Sequence, residues 1–550
     1  MTSPRTPLAF LGIALLGLTA AGCGGGSGSG SPGSGASGSG ASGSGASGAA
    51  SPGGGTLANG KTFTMAISTD PGNLDPHQTV LSVTRQVDRF LYARLVEQAA
   101  DGKIVAGLAE KWEADTSKAT FTLRNGITCA DGTPLTASDV AANINYIGDA
   151  KNKSPLAGLF VPAGSKAKGD DGARTVTVTS GKPDAFLLVN FGYVPIVCGK
   201  GLIDRSLLAK GGAGTGMFTV SDIVPSDHYT FTRRKDFTWG PGDWKADQAG
   251  LPDTVTLKVI ANETTAANLL VSGGVNVATV AGPDQDRLAA QKLFHVDSLA
   301  PLGQLWFNQA EGHPTAEAPV RRALVQALDL NKVGQVLTSG KGKPSQGMVT
   351  VAPNPCRTDT VTGNVPAFDN AAAKSGLDGA GWVAGADGVR AKGGKKLAIT
   401  VLYVTSVASA VPAAELIQQM LKEIGVAATL KGVDSTGLSE VLFSTGAWDI
   451  SMGPLTVGLP SQVVPFLSGP VPPQGVNFAH VKNADFDAAV KTASGKVGNA
   501  GCSDWAAAEV AAIKAADIVP YYNTVVPIFG KKTQFVADDG VDPASIRMYQ

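Results

Sequence analysis

The chain has 550 residues, and its 45 basic and 45 acidic side chains cancel to a formal net charge of zero. A neutral chain argues against nucleic acid or an anionic membrane surface as the main partner, since both attract clustered positive charge. The length exceeds what one hydrophobic core usually accommodates, so we expect at least two lobes. The five histidines lie far apart and match no metal-binding spacing, so neither a metal nor a cofactor is predicted.

Residues 1–22 have the pattern of a signal peptide for export. An apolar run from Leu8 to Leu18 is too short to span a bilayer comfortably, and small residues then precede Cys23. This arrangement resembles the lipobox of bacterial lipoproteins, although Ala20 stands where Leu is usual. We expect Cys23 to become a lipidated N-terminus at the extracytoplasmic face of the membrane; an ordinary secretory signal is the alternative. No second long apolar run follows, so we expect a soluble body.

Residues 23–55 are predicted to form a disordered tether behind the lipidation cysteine. From Gly24 onward the segment is almost entirely Gly, Ser, Ala and Pro, and it buries too little apolar surface to fold. Random-coil scaling gives it an r.m.s. span of roughly 30 Å. That span would hold the folded body clear of the membrane surface.

The segment after residue 103 carries several local structure signals. Residues 120–124 alternate apolar and polar side chains, which predicts a half-buried strand. Asn125 and Gly126 accept positive φ, so the strand is expected to fold back there as a hairpin. Thr136 and Asp139 have the spacing of a capping box and predict the start of a helix.

A strand, a helix and a second strand follow one another in the second half of the chain. Apolar residues alternate over 397–403, a helical stripe covers 416–424, and Gly425 is placed to end the helix. The next strand begins at Val426. This order builds a parallel sheet with a right-handed crossover, and ligands of open α/β sheets bind beyond the carboxyl ends of the strands.

Motifs spread along the chain resemble those of the family 5 solute-binding proteins of ABC importers, the peptide, nickel and opine binders. The strongest match is the run of P-x-L-A-E-x-W-E, T-F-x-L-R and D-G-x-P-x-T-A-x-D-V motifs. The resemblance covers about residues 61–537. The matching segments are 70–76, 106–113, 120–124, 131–140, 214–218, 273–277 and 320–329.

The resemblance implies an α/β fold, a type II periplasmic-binding-protein-like clamp of two lobes that close on a ligand. Lobe I would consist of residues 56–93, 213–299 and 526–550. Residues 94–212 would form an extra subdomain inserted in lobe I, and residues 300–525 would form lobe II. The chain would cross between the lobes near residues 300 and 525.

Four cysteines lie beyond Cys23, and an even number in an exported protein suggests disulfides. Four cysteines allow three pairings. We predict bonds between Cys129 and Cys198 and between Cys356 and Cys502, because each pair would fall inside one predicted lobe. Free buried cysteines are the alternative.

The implied function is capture of a small molecule or peptide and its delivery to the permease subunits of an ABC importer, without catalysis. The protein would act as a monomer, held at the membrane through its lipid anchor. The sequence leaves two alternatives open: a receptor that senses the solute without transport, and an exported hydrolase. The body has no G-x-S-x-G nucleophile elbow and no phosphate-binding loop, which disfavours the hydrolase.

In peptide-binding relatives, an aspartate pairs with the free amino group of the ligand. In the matching stretch, residues 448–461, Gly458 stands at the position of that aspartate and Leu455 where a tryptophan is common. The missing charge favours a blocked peptide or a neutral solute, because a buried cation needs an opposite charge. Asp434 is a possible substitute for the aspartate. The candidate ligand contacts are Leu81, Trp306, Trp448, Met452, Leu455, Gly458 and Tyr522.

Overall fold

The computed structural model describes residues 55–99, 102–158, 160–162, 164–538 and 540–550. The predicted signal peptide, Cys23 and nearly all of the predicted tether lie outside these residues. The described strands are β1 (Thr62–Ile67), β2 (Val96–Gln98), β3 (Ile104–Ala106), β4 (Ala109–Ala114), β5 (Lys118–Leu123), β6 (Lys166–Asp170), β7 (Thr175–Thr179), β8 (Phe218–Val224), β9 (His228–Arg233), β10 (Thr254–Val259), β11 (Val277–Thr279), β12 (Phe294–Phe307), β13 (Lys343–Pro344), β14 (Val383–Ala384), β15 (Arg390–Lys392), β16 (Lys395–Lys396), β17 (Ala398–Val404), β18 (Ala427–Val433), β19 (Ile450–Ser451), β20 (Ile518–Gly530), β21 (Thr533–Gln534) and β22 (Arg547–Met548).

The described helices are α1 (Ser82–Leu91), α2 (Ala137–Gly148), α3 (Leu187–Gly192), α4 (Gly199–Ile203), α5 (Glu263–Ser272), α6 (Asp284–Ala289), α7 (Ala318–Gln326), α8 (Leu330–Leu337), α9 (Asn370–Gly379), α10 (Ala410–Glu423), α11 (Ser435–Glu440), α12 (Val464–Leu467), α13 (Ala484–Ser494) and α14 (Cys502–Lys514). In this described part of the chain, no helix is long and apolar enough to cross a membrane. Strands and helices together give the mixed α/β fold that the family resemblance implies.

The largest sheet of the described residues has 11 strands, in the order β18-β17-β19-β12-β20-β11-β1-β10-β9-β8, with β13 added beside β20. Its two longest strands, β12 and β20, pair antiparallel from Phe294 opposite Gly530 to Trp306 opposite Ile518. On one side β20 continues into β11 and lobe I, and on the other side β12 continues into β19 and lobe II. These two strands therefore connect the lobes.

A second sheet, of order β4-β5-β7-β6, lies within the predicted inserted subdomain and packs against α2. Thr136 and Asp139 form the predicted capping box at the start of α2, each side chain accepting the other residue's backbone N–H. The hairpin predicted after β5 is wrong. Both edges of β5 are already paired, with β4 and β7, so the turn at Gly126 leads the chain away from the sheet.

The strand, helix, strand unit predicted in the second half is confirmed as β17, α10 and β18. The two strands run parallel in register from Ala398 opposite Ala427 to Val404 opposite Val433. Gly425 takes a positive φ of 83° just after the helix, as its role as a stop signal requires. The apolar stripe of α10 is buried in the core of lobe II.

The structure contains both predicted disulfide bonds. Cys129 bonds to Cys198 within the segment predicted to form the inserted subdomain, and Cys356 bonds to Cys502 within the segment predicted to form lobe II. The second bond ties the loop of residues 349–358 to the first residue of α14. This loop lies against lobe I, where Pro353 O accepts from Gln98 Nε2.

Asp88 on α1 is a buried carboxyl group, and neither of its oxygens is hydrogen-bonded to a described residue. Burial raises the pKa of Asp88 well above its ordinary value; the nearby Asp75 carboxylate raises it further, and Arg85 opposes the shift. Asp75 itself accepts a hydrogen bond of 2.8 Å from Arg205 Nε. The folded protein therefore keeps a proton on Asp88 at pH values where the unfolded chain has released it.

The Asp88→Asn variant should gain stability relative to the wild type as the pH rises. Because the folded pKa is raised, the contribution of Asp88 to stability is complete below about pH 4 and is lost as the pH climbs toward the folded pKa. Asparagine does not titrate, so the difference in melting temperature should grow by a few degrees over that range. Thermal unfolding measured at several pH values tests this. The exposed Asp247→Asn serves as the control, and a pH-independent difference for Asp88→Asn would contradict the prediction.

Candidate functional site

The lobes face each other at the carboxyl end of β19, where a loop of residues 452–463 begins. This loop packs on the loop of residues 349–358: Asn354 N donates to Gly458 O at 2.9 Å. Both loops also reach lobe I. Gln98 Nε2 donates to Pro353 O at 2.9 Å, and Leu459 packs among side chains of the inserted subdomain. The candidate site is this cleft, at the strand ends where open α/β sheets bind ligands.

Gln304 connects the cleft loop to one of the strands that join the lobes. Its side-chain amide makes two bonds to Leu455, accepting from Leu455 N at 2.7 Å and donating to Leu455 O at 3.3 Å. Gln304 lies on β12 where the pairing with β20 shifts register, and it is 2% exposed. Sequence reasoning missed this residue. The available signal was a single amide side chain inside the apolar strand segment Leu302 to Phe307.

Gly458 is a position of close backbone approach. A Cβ atom there would lie 2.5 Å from Ala352 O and 2.8 Å from Pro353 Cδ, closer than real Cβ contacts occur. Gly458 N also donates to Gln462 Oε1 at 3.0 Å. A substitution to aspartate would therefore displace the two loops, so it would test their packing and not the charge preference of the ligand.

The candidate contact residues do not converge on one surface. Trp306 and Trp448 both pack on Phe478, with ring centroids 4.9 and 5.9 Å away, inside one core cluster of lobe II. Met452 and Tyr522 lie in the other core cluster of lobe II. Leu455 is half-buried beside the first cluster.

Leu81 and Asp434 lie apart from this group. Leu81 is 62% exposed and immediately precedes α1 in lobe I. Asp434, the possible substitute for the missing aspartate, caps α11: its carboxylate accepts a hydrogen bond from Gly437 N at 2.7 Å. Of the predicted contacts, Met452, Leu455 and Gly458 lie on the loop that faces lobe I, and the side chain of Met452 is buried in the core.

The lobe II side of the cleft is free of ionisable groups over long stretches. Residues 344–356 and 450–479 contain no Asp, Glu, Lys, Arg or His. The carboxylate of Glu509 contacts the first stretch. It accepts hydrogen bonds from Met348 N at 2.5 Å and from Thr360 Oγ1 at 2.7 Å. Burial raises the pKa of Glu509. The cleft loops of lobe II therefore offer a ligand neutral polar groups and apolar surface.

On lobe I, the apolar side chains of Ile104, Ala185, Phe186 and Val189 pack beside these loops, together with Tyr193, and the Arg94 guanidinium lies 5.2 Å from the centre of the Tyr193 ring. The Tyr193 hydroxyl is buried without a bond to a described residue, and burial raises its pKa. An open pocket of about 710 Å³ lies elsewhere, beside Arg124. Arg124 Nη2 donates to Gly242 O at 3.0 Å there, so this motif arginine supports a loop of lobe I and does not face lobe II.

Comparisons with known proteins agree with this architecture. The sequence model of "Bacterial extracellular solute-binding proteins, family 5 Middle" matches residues 103–475. The periplasmic murein peptide-binding protein MppA of Escherichia coli is 26% identical over 510 residues, covering 86% of this chain and 89% of that protein.

Solved structures show the same fold. A substrate-binding protein of Microbacterium hydrocarbonoxydans, complexed with 4-hydroxybenzoate hydrazide, superposes with a TM-score of 0.65 at 25% identity, covering 89% of this chain and 100% of that one. NikA of Brucella suis, in complex with Fe(III)-EDTA, gives a TM-score of 0.70 at 22% identity, covering 88% and 99%. With a family match over more than half of its length, this chain belongs to the bacterial extracellular solute-binding proteins of family 5, which bind solutes for ABC importers.

Proposed function

We propose that this protein captures an uncharged solute, such as a blocked or modified peptide or another neutral compound, between its two lobes. The observation that carries the proposal is the absence of ionisable side chains from residues 344–356 and 450–479, which include the loop of residues 452–463 and most of the loop of residues 349–358. A ligand charge buried against these loops would lose its hydration without gaining a partner, which is costly. A neutral ligand pays no such cost.

The names of related proteins support a small-molecule or peptide-like ligand but differ in its chemistry. One relative is named for a murein peptide, and related structures hold an aromatic hydrazide and an iron chelate. The ligand of this chain therefore has to be argued from its own cleft. The close packing at Gly458 leaves no space for an acidic side chain, and this also supports a neutral ligand.

The mechanism is a shift between open and closed states. A ligand that contacts both lobes does so only when they are closed, so it stabilises the closed state by its differential affinity. The closed protein, anchored at the extracytoplasmic face through lipidated Cys23, presents the solute to the permease. ATP hydrolysis by other subunits drives release and transport, and this chain catalyses no reaction.

The test compares two peptides that differ only in whether their two ends are charged. A short peptide and its N-acetylated, C-amidated form are titrated into the purified protein by calorimetry, after native mass spectrometry has confirmed that the protein carries no ligand. We expect the blocked peptide to bind at least tenfold more tightly, about 1.4 kcal/mol. Tighter binding of the free peptide would overturn the neutral-ligand proposal while leaving the family assignment intact.

A further inference from the structure

A small apolar cluster joins the inserted subdomain to lobe II across the cleft. We call it the interlobe cluster. Its aromatic pair is Phe186 and Trp505, whose ring centroids lie 5.8 Å apart and which are only 1% and 4% exposed. The cluster consists of Ala185, Phe186 and Val189 from the subdomain side and Leu459, Ala493 and Trp505 from lobe II.

The interlobe cluster is separate from the cores of the lobes. Phe186 is absent from the large core cluster of lobe I, and Trp505 is absent from both core clusters of lobe II. Each aromatic ring therefore owes part of its burial to the opposite lobe. Opening the cleft would expose both rings to water.

Two hydrogen bonds cross the cleft beside the cluster. Gly498 N donates to Ala185 O at 2.7 Å, and Gln98 Nε2 donates to Pro353 O at 2.9 Å. The disulfide between Cys356 and Cys502 holds the lobe II side in place, because Cys356 packs against the cluster and Cys502 begins the helix that carries Trp505. The contact between the lobes is therefore held by hydrogen bonds and by the disulfide, in addition to the apolar packing.

We infer that the interlobe cluster is a latch that favours the closed state before any ligand binds. Burial of apolar surface between the lobes stabilises closure regardless of the contents of the cleft. The apparent Kd of a ligand equals its intrinsic Kd divided by the fraction of protein in the binding-competent state. Phe186 and Trp505 are therefore positioning residues that strengthen the binding of every ligand by the same factor, without selecting among ligands.

The test needs no ligand and is independent of the proposed ligand class. Small-angle scattering and hydrogen exchange are recorded on the ligand-free wild type and on Phe186→Ala and Trp505→Ala. We expect the ligand-free wild type to have the radius of gyration of the structure described above, in which the interlobe cluster is packed, and both variants to have a larger one. Exchange of the segment containing Gly498, whose amide bonds across the cleft, should become roughly tenfold faster or more.

Two further variants separate closure from general damage. Phe186→Leu keeps an apolar side chain and should retain most of the closure. Phe368→Ala removes the same ring from a half-exposed site of lobe II outside the cluster and should change neither measurement. If Phe186→Ala does not fold, Trp505→Ala on the opposite lobe gives the same readout. A wild type as open as the variants, or variants as closed as the wild type, would overturn the inference.

Discussion

Replacing Arg321 by leucine should lower the free energy of unfolding by about 3 to 5 kcal/mol, because it leaves a buried carboxylate without its opposite charge. Arg321 Nη2 lies 3.0 Å from Asp517 Oδ1, and the two side chains are only 5% and 2% exposed. The same guanidinium donates to four backbone carbonyls, those of Thr315, Ala316, Ala515 and Ala516. The substitution would therefore leave these acceptors unsatisfied as well.

The neighbouring residue provides a matched control for this prediction. Arg322 follows Arg321 on α7 and is exposed, so Arg322→Leu makes the same chemical change outside the core. Its effect should stay within about 0.5 kcal/mol. Denaturant unfolding of both variants measures the difference. Adding Asp517→Asn to Arg321→Leu should recover part of the loss by removing the unpaired charge, and equal costs for the two arginine variants would contradict the assignment.

Removing the disulfide of lobe II should have the second largest effect. The bond between Cys356 and Cys502 closes a loop with a sequence separation of 146 residues. Its loss should cost about 2 to 5 kcal/mol, chiefly through the greater freedom of the unfolded chain. We expect the variant with both cysteines changed to serine to unfold at a lower denaturant concentration than the oxidised wild type.

The second disulfide and a reductant supply the controls. The bond between Cys129 and Cys198 spans 69 residues, so chain-entropy scaling predicts a cost smaller by only about 0.7 kcal/mol for its double serine variant. A reductant should destabilise each double variant only through its remaining bond. Unfolding of the Cys356→Ser, Cys502→Ser variant at the same denaturant concentration as the oxidised wild type would show that this bond does not stabilise lobe II.

The sequence predicts best those features that depend on neighbouring residues. The capping box of Thr136 and Asp139 and the stop at Gly425 are specified within a few positions, and the structure has both. The disulfide pairs could be predicted because the family resemblance already divided the chain into lobes. The hairpin at Asn125 and Gly126 failed because turn chemistry does not reveal whether the edges of the preceding strand are free.

The candidate site was harder to predict because its geometry depends on distant segments. Trp306 and Trp448 are aromatic residues in a matching stretch, but the pattern does not distinguish a ring that lines a cleft from a ring packed on Phe478. Gly458 is explained by Ala352, more than a hundred positions away along the chain. The pairing of Phe186 with Trp505 joins two segments that no sequence motif connects.

The paired strands β12 and β20 restrict how the lobes can move. Two separate flexible linkers would let the lobes rotate in many directions, whereas an antiparallel ladder bends most readily across its own plane. The bend is easiest where the ladder is already irregular, between Pro301 and Gln304. Because Gln304 holds Leu455, a bend at this point also moves the floor of the cleft. Opening and reshaping of the binding surface are therefore one motion, and a permease would meet two defined shapes instead of a continuum.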